Sequence, residues 1–418
     1  DLMNRDGSRM LDVHHLFSPG QQVYVAGSSN EPKGLLDHLA TAPLPDDLNF
    51  LHFPLPGLNT TDFTALNPTA VVTTFFMSST LAKADPARVR FLPMQMRAVF
   101  DYLLHGVDVA LLQVGFDREG VLRMGPNVDF NAAVLSSAKT VIAELNRGLV
   151  APLGGIAIDP AQIDALFETD RGLAAMPEAR IDTAAQTIGG LVADLIKDGD
   201  CLQTGIGAIP AAILGQLTDK NDLGLHGGLI DSGGQRLIQE GQVTGARKAI
   251  DSGQHITGMA LGGADFNDWL AETPDVVFRG ADYTHEVSVI RRLEDFVSVN
   301  SAVEVDLFGQ VNAEYAGGRQ ISGTGGSVDF MRAAKASKRG RSIVAMTATA
   351  RGGSISRIVP RVEMVTALRT DVDIVVTEFG VAQIKNLPLR ARAEALVRIA
   401  APEFREALSA SIDQMGRA

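Results

Sequence analysis

The groups able to do chemistry in this sequence form a short list, and two glycine turns head it. Gly205-Ile206-Gly207-Ala208-Ile209-Pro210 follows an apolar run and opens a helical pattern, so its backbone amides can face an anion. Pro210 suits the first helical turn, where an N–H would have no intrahelical partner. Ser322-Gly323-Thr324-Gly325-Gly326-Ser327 precedes a second helical pattern at 328–336. Three glycines in four residues let a ligand approach the backbone, and free amides there can stabilise an oxyanion. A plain tight turn is the competing explanation for either loop. Other catalytic patterns are missing. There is no Gly-x-Ser-x-Gly elbow, no Gly-Lys dipeptide for a phosphate loop, and no completed Gly-x-Gly-x-x-Gly. The eight histidines (His14, His15, His38, His52, His105, His226, His255 and His285) show no His-x-x-x-His spacing, so no metal is expected.

These turns need elements to hold them. Short β-branched runs alternate with Ala/Leu-rich helical stretches, which predicts an α/β fold with mainly parallel sheets. Strands are expected at Gln22-Val23-Tyr24-Val25-Ala26, at the continuous apolar run 107–114, and at 342–346 and 372–376. Helices are expected at 33–39, 181–197, 211–217 and 389–399. The chain repeats itself once. Val25-Ala26-Gly27-Ser28-Ser29-Asn30-Glu31-Pro32 and Gln203-Thr204-Gly205-Ile206-Gly207-Ala208-Ile209-Pro210 both run strand, glycine turn, proline, helix, with equal glycine-to-proline spacing. Duplication of one domain accounts for this, with a linker at Ala174–Arg180 in the form Ala174-Ala175-Met176-Pro177-Glu178-Ala179-Arg180 and domains at 1–185 and 186–418. The 418 residues suffice for two cores. With 45% hydrophobic and 21% charged residues the composition is that of a globular chain. A net charge of −12 argues against a nucleic-acid surface. The lone Cys201 excludes an intrachain disulfide and suits a reducing cytoplasm, and no apolar run reaches membrane-spanning length.

Five ordered motifs resemble the acetyl-CoA hydrolase/transferase family, which includes the 4-hydroxybutyrate and succinyl-CoA:acetate CoA-transferases. They are Leu202–Pro210 in the turn above, the run Ser298-Val299-Asn300-Ser301-Ala302-Val303-Glu304-Val305-Asp306-Leu307-Phe308-Gly309, Ser322-Gly323-Thr324-Gly325-Gly326-Ser327-Val328-Asp329-Phe330, Ser356-Arg357-Ile358-Val359-Pro360, and Val376-Thr377-Glu378-Phe379-Gly380. A weaker match runs through 107–114, Asp117 and Asp129. The resemblance implies two tandem open α/β domains of the CoA-transferase type with a cleft between them. It implies a homodimer, coenzyme A handled as an acyl-CoA substrate, and a small carboxylic acid as the other partner. It also implies ping-pong transfer through an acyl-glutamyl anhydride, with oxyanion donors on the two glycine turns, here near Ile206, Gly207, Gly325 and Gly326.

The chain departs from that pattern at the nucleophile. Relatives carry Thr-Glu after the histidine that matches His226; here Gly227-Gly228 follows, and the glutamate position falls on Gly228. The nearest carboxylate is Asp231. The family's Tyr-Thr-Asn-Asp-Pro reads Tyr283-Thr284-His285-Glu286-Val287, so an active-site asparagine becomes His285. His285 is a candidate general base, set against a histidine that keeps the asparagine's hydrogen bond. Asp231 is a candidate replacement nucleophile or a turn residue, and Glu378 an alternative carboxylate or a supporting acceptor. His226 is expected to buttress its loop. Lys385 is the candidate for a CoA-contacting lysine, because Asn386-Leu387 stands where relatives have Gly-Lys. The basic residues Arg332, Lys335, Lys338, Arg339 and Arg341 fit either CoA phosphates or a solvated face. The expected function is that of a divergent family enzyme acting on an acyl-CoA thioester or small carboxylic acid. Its alternatives are histidine-based lyase or hydrolase chemistry on a non-CoA substrate, and a non-catalytic ligand binder.

Overall fold

The computed structural model describes residues 2–4, 9–10 and 12–415. They pack as two units: 1–177 with 230–232 and 256–284, and 178–229 with 233–255 and 285–418. Two short segments from the middle of the sequence thus pack with the first unit, and no single chain position divides the molecule.

The first unit is built on a ten-stranded sheet. Gln22–Val25, Asn49–His52, Val71–Thr74 and Val89–Phe91 lie side by side and parallel. The chain then returns to the other side of Gln22–Val25 and continues outward, still parallel, through Val109–Phe116, Thr140–Asn146 and Ala165–Thr169. The direction of strand addition therefore reverses between Gln22–Val25 and Val109–Phe116. Both faces of this sheet are covered. Val23, Val25, Val109 and Leu111 enter one apolar cluster while Tyr24, Ala26, Ala110 and Leu112 enter another. That is why 107–114 reads as unbroken apolar residues instead of alternating ones. The observed strand is displaced two residues, to Val109–Phe116.

The second unit has a six-stranded sheet in the order Gly224–Leu225, Cys201–Gln203, Phe296–Asn300, Arg341–Ala345, Ile374–Thr377 and Gly380–Gln383. All neighbours are parallel except the last pair. Here the order reverses between Cys201–Gln203 and Phe296–Asn300. Each of the two repeated turns leaves the strand beside its own sheet's reversal, the position a duplicated unit gives them. They differ in detail. Ser28–Asn30 forms a 3-10 turn before the helix Lys33–Leu39, whereas Gly207 caps a helix, Ala208–Leu214, that starts three residues earlier than expected. Gly207 has φ +126°, a conformation that favours glycine. The helix expected at 181–197 is Thr183–Ala193, because the Asp182 carboxylate accepts the Ala185 N–H at 2.8 Å and fixes its start.

Candidate active site

In open α/β sheets, ligands bind at the carboxyl ends of the strands where the order reverses. In the second unit that point is closed underneath by a reciprocal amide pair. Gln203 Nε2 donates to Asn300 Oδ1 at 3.3 Å, and Asn300 Nδ2 donates to Gln203 Oε1 at 3.2 Å. Above it the Gly205-Ile206-Gly207 turn is open: a Cβ at Gly205 or Gly207 would meet nothing within 4 Å, and Ile206 is 41% exposed. Among the described residues, the amides of Ile206 and Gly207 have no protein acceptor. The same holds for the amides of Gly325 and Gly326. Gly326 caps the helix Ser327–Ala336, so both glycine turns present amides at helix starts. Beside Gly326, the buried Thr324 hydroxyl lacks a hydrogen-bond partner.

One chain of contacts links the two turns. A Cβ on Gly227 would stand 3.1 Å from the Gln203 side chain. A Cβ on Gly228 would stand 3.2 Å from both Cε1 and Nε2 of His285, and one on Gly326 would stand 2.5 Å from His285 Nε2. His285 is 1% exposed, and its ring lies 4.5 Å from that of Phe330. The imidazole therefore rests on two bare Cα atoms and one aromatic ring, in the space a side chain at position 228 would enter. Phe330 stands one helical turn past Gly326 and closes the far wall. Its motif is legible in the sequence; its role is not, since nothing local says which helix face meets the histidine.

The remaining candidates fall elsewhere. His226 is fully buried, with its amide on the Leu202 carbonyl at 3.1 Å and its ring edge-on to Phe296. Asp231 follows Ile230, whose carbonyl accepts the Leu261 N–H, and the segment 230–232 packs with the first unit. Glu378 Oε1 accepts the Ala348 N–H at 2.6 Å and so fixes a turn at the carboxyl edge of the sheet. Lys385 is exposed, and its amide bonds the Asp373 carbonyl. That places it at the amino edge of the sheet, opposite the glycine turns. The basic cluster is paired off: Arg332 with Asp371, Lys338 with Glu294, Arg339 with Glu294 and Asp295, and Arg341 with Asp200, while Lys335 bonds the Thr370 carbonyl. Asp306 takes the amides of Phe308, Gln310 and Val362, a loop-fixing role. Burial pushes the Cys201 thiol up to about 12, which removes it as a nucleophile.

Comparison with known proteins agrees with this architecture. Residues 262–412 match the family model of the acetyl-CoA hydrolase/transferase C-terminal domain. The chain is 40% identical over 306 residues to the 4-hydroxybutyrate coenzyme A transferase of Clostridium kluyveri, covering 72% of this chain and 71% of that one. The crystal structure of RipA from Yersinia pestis superposes with a TM-score of 0.89 at 31% identity over 96% of each chain. The 4-hydroxybutyrate CoA-transferase of Porphyromonas gingivalis gives 0.80 at 30% identity over 97% of each. Similarity of this extent, in sequence and in fold, places the chain in the acetyl-CoA hydrolase/CoA-transferase family of enzymes.

Proposed function

We propose that this family member cleaves acyl-CoA thioesters with water as the acceptor and without a glutamyl anhydride. The observation that carries the reading is the His285 imidazole seated against Gly228 and Gly326, where the resemblance puts the nucleophilic carboxylate. The thioester carbonyl oxygen is received by the amides of the Ile206–Gly207 and Gly325–Gly326 turns. His285 takes a proton from water as its oxygen attacks the thioester carbon. Collapse of the tetrahedral adduct breaks the C–S bond, and the departing thiolate takes the proton back from the imidazolium. One thioester and one water give one carboxylic acid and one CoA thiol. Glu378 and His226 hold the turns that frame this site, and Asp231 and Lys385 have no part in the step. Support for a CoA substrate comes from the family match and from the names of the relatives. A homodimer is the family's expectation and a cytoplasmic setting fits the single buried cysteine; both belong to the same proposal.

Incubation with a broad acyl-CoA panel tests it, with free thiol and protein mass followed together. Thiol release without a covalent adduct is expected, falling about 10²–10⁴-fold in His285→Asn. An adduct on Asp231 or Glu378 would replace the proposal with a relocated nucleophile. The absence of both thiol release and adduct would overturn the thioester reading.

A further inference from the structure

Away from this site, one group of side chains in the first unit has the chemistry of a cation site. Asp12, His14 and His38 bring one carboxylate oxygen and two ring nitrogens within 4.8 Å of one another. Asp12 and His14 precede the strand Gln22–Val25, and His38 lies in the last turn of the helix Lys33–Leu39, 26 residues after Asp12. Both rings address the same oxygen. His38 Nε2 stands 3.2 Å from Asp12 Oδ1, and His14 Nδ1 is in hydrogen-bond contact with it.

The other nitrogen of His14 decides what must lie there. Nε2 is 2.9 Å from the Leu39 carbonyl, which can only accept, so Nε2 carries a proton. In the neutral ring Nδ1 then turns a lone pair toward a carboxylate oxygen, and the two repel. A cation bound by both, with the two atoms moved apart around it, relieves that repulsion. An imidazole that gives its remote N–H to a backbone carbonyl while its other nitrogen faces the ligand set is the usual arrangement around bound metals. The His38 ring is held by stacking on Phe167 at 4.9 Å. Two imidazoles and one carboxylate suit zinc and its borderline neighbours better than the hard cations.

We propose that Asp12, His14 and His38 bind a zinc-class divalent cation that ties the segment 12–16 to the end of the helix Lys33–Leu39. Ligands about 2.0–2.2 Å from such an ion lie roughly 3–3.5 Å from one another, so His38 Nε2 already stands at a fitting distance from Asp12 Oδ1, while Oδ1 must draw away from His14 Nδ1 to admit the ion. The half-exposed Asp12 side chain has room to make that adjustment. Three protein ligands leave the fourth position to water.

Titration of the chelator-stripped, full-length chain with zinc chloride tests this, by calorimetry and by thermal melts with and without metal. One zinc per chain is expected, with a rise in Tm. His38→Gln and Asp12→Asn are each expected to weaken binding by at least about tenfold and to abolish the Tm rise. Their metal-free far-UV spectra should match the wild type, which separates loss of the site from loss of the fold. Zinc affinity unchanged in both variants would overturn the proposal. So would the absence of binding by the wild type.

Discussion

At the scale of single residues, the site turns on two glycines that cannot be changed independently of their neighbour. Position 228 lacks a side chain because His285 occupies the adjoining space, and Gly326 is held bare by the same ring. Putting a carboxylate back at 228 alone is therefore expected to fail. Gly228→Glu brings its Cβ to 3.2 Å from the buried imidazole, which is itself packed on Phe330 and Gly326, and overpacking of that kind costs roughly 1–3 kcal/mol. The double variant Gly228→Glu with His285→Asn removes the obstruction and is expected to recover most of that stability in urea melts. Mass spectrometry of the double variant with acyl-CoA then asks whether a covalent CoA–glutamyl adduct forms. An adduct in the single variant, with unchanged stability, would contradict the packing described for His285.

Among elements, the helices Thr183–Ala193 and Ala208–Leu214 show how the second unit carries its glycine turn. They cross so closely that a Cβ on Gly189 would lie 2.8 Å from the Ala212 carbonyl carbon. That contact is with backbone, which has nowhere to yield, and the helix it would displace begins at the Gly207 cap. Gly189→Ala is therefore expected to lower stability by about 1–3 kcal/mol although alanine is the better helix former. The effect should extend to the site, because the amides of the 205–207 turn are aimed by the helix they open. Thermal melts and thiol release measured side by side check both. A stabilised Gly189→Ala variant, the outcome helix propensity alone predicts, would show that the helices separate at no cost.

For the whole molecule, stability should vary with pH through three buried groups, Asp129, Glu31 and His52. Burial alone pushes the Asp129 carboxyl up to about 7 from 3.8, and burial likewise lifts Glu31 to about 7 from 4.5 against the pull of Lys33 and Arg171. A carboxyl whose folded pKa exceeds its unfolded value binds more protons when folded, so its cost is complete above pH 7 and fades as pH falls toward 4. His52 works the other way. Burial lowers it from 6.5 to about 4, so it withdraws stability as pH falls through that window. Two carboxyls outweigh one histidine, so through these groups stability is expected to rise as pH falls from 7 toward 4. Asp129→Asn should exceed the wild type at pH 8 by on the order of 2–4 kcal/mol, a gap that closes as pH drops from 7 toward 4. Urea unfolding across that range measures it. A constant difference between the two proteins would mean that Asp129 does not titrate with folding.

The sequence by itself determined the kind of architecture and its internal echo. Unbroken apolar runs such as 107–114 are enough to predict strands covered on both faces, and equal glycine-to-proline spacing in two strand–turn–helix units marks the repeat, because both are local patterns set by side-chain period and backbone freedom. It also showed, through resemblance, which family to compare with, and that glycine stands at position 228. What packs against that glycine was not legible. Gly228, His285, Gly326 and Phe330 are scattered over a hundred positions, and only the order of parallel strands brings them to one edge of one sheet. The same cause separates Lys385 from the glycine turns, since antiparallel pairing of the last strand returns it to the opposite edge. It pairs off the basic cluster, while His14 meets His38, at a spacing that follows no helical ligand pattern, where the end of the helix Lys33–Leu39 packs on the segment 12–16. Composition and period are written along the chain; the meeting of side chains depends on how strands are ordered, and the packing of both sheet faces decides that order.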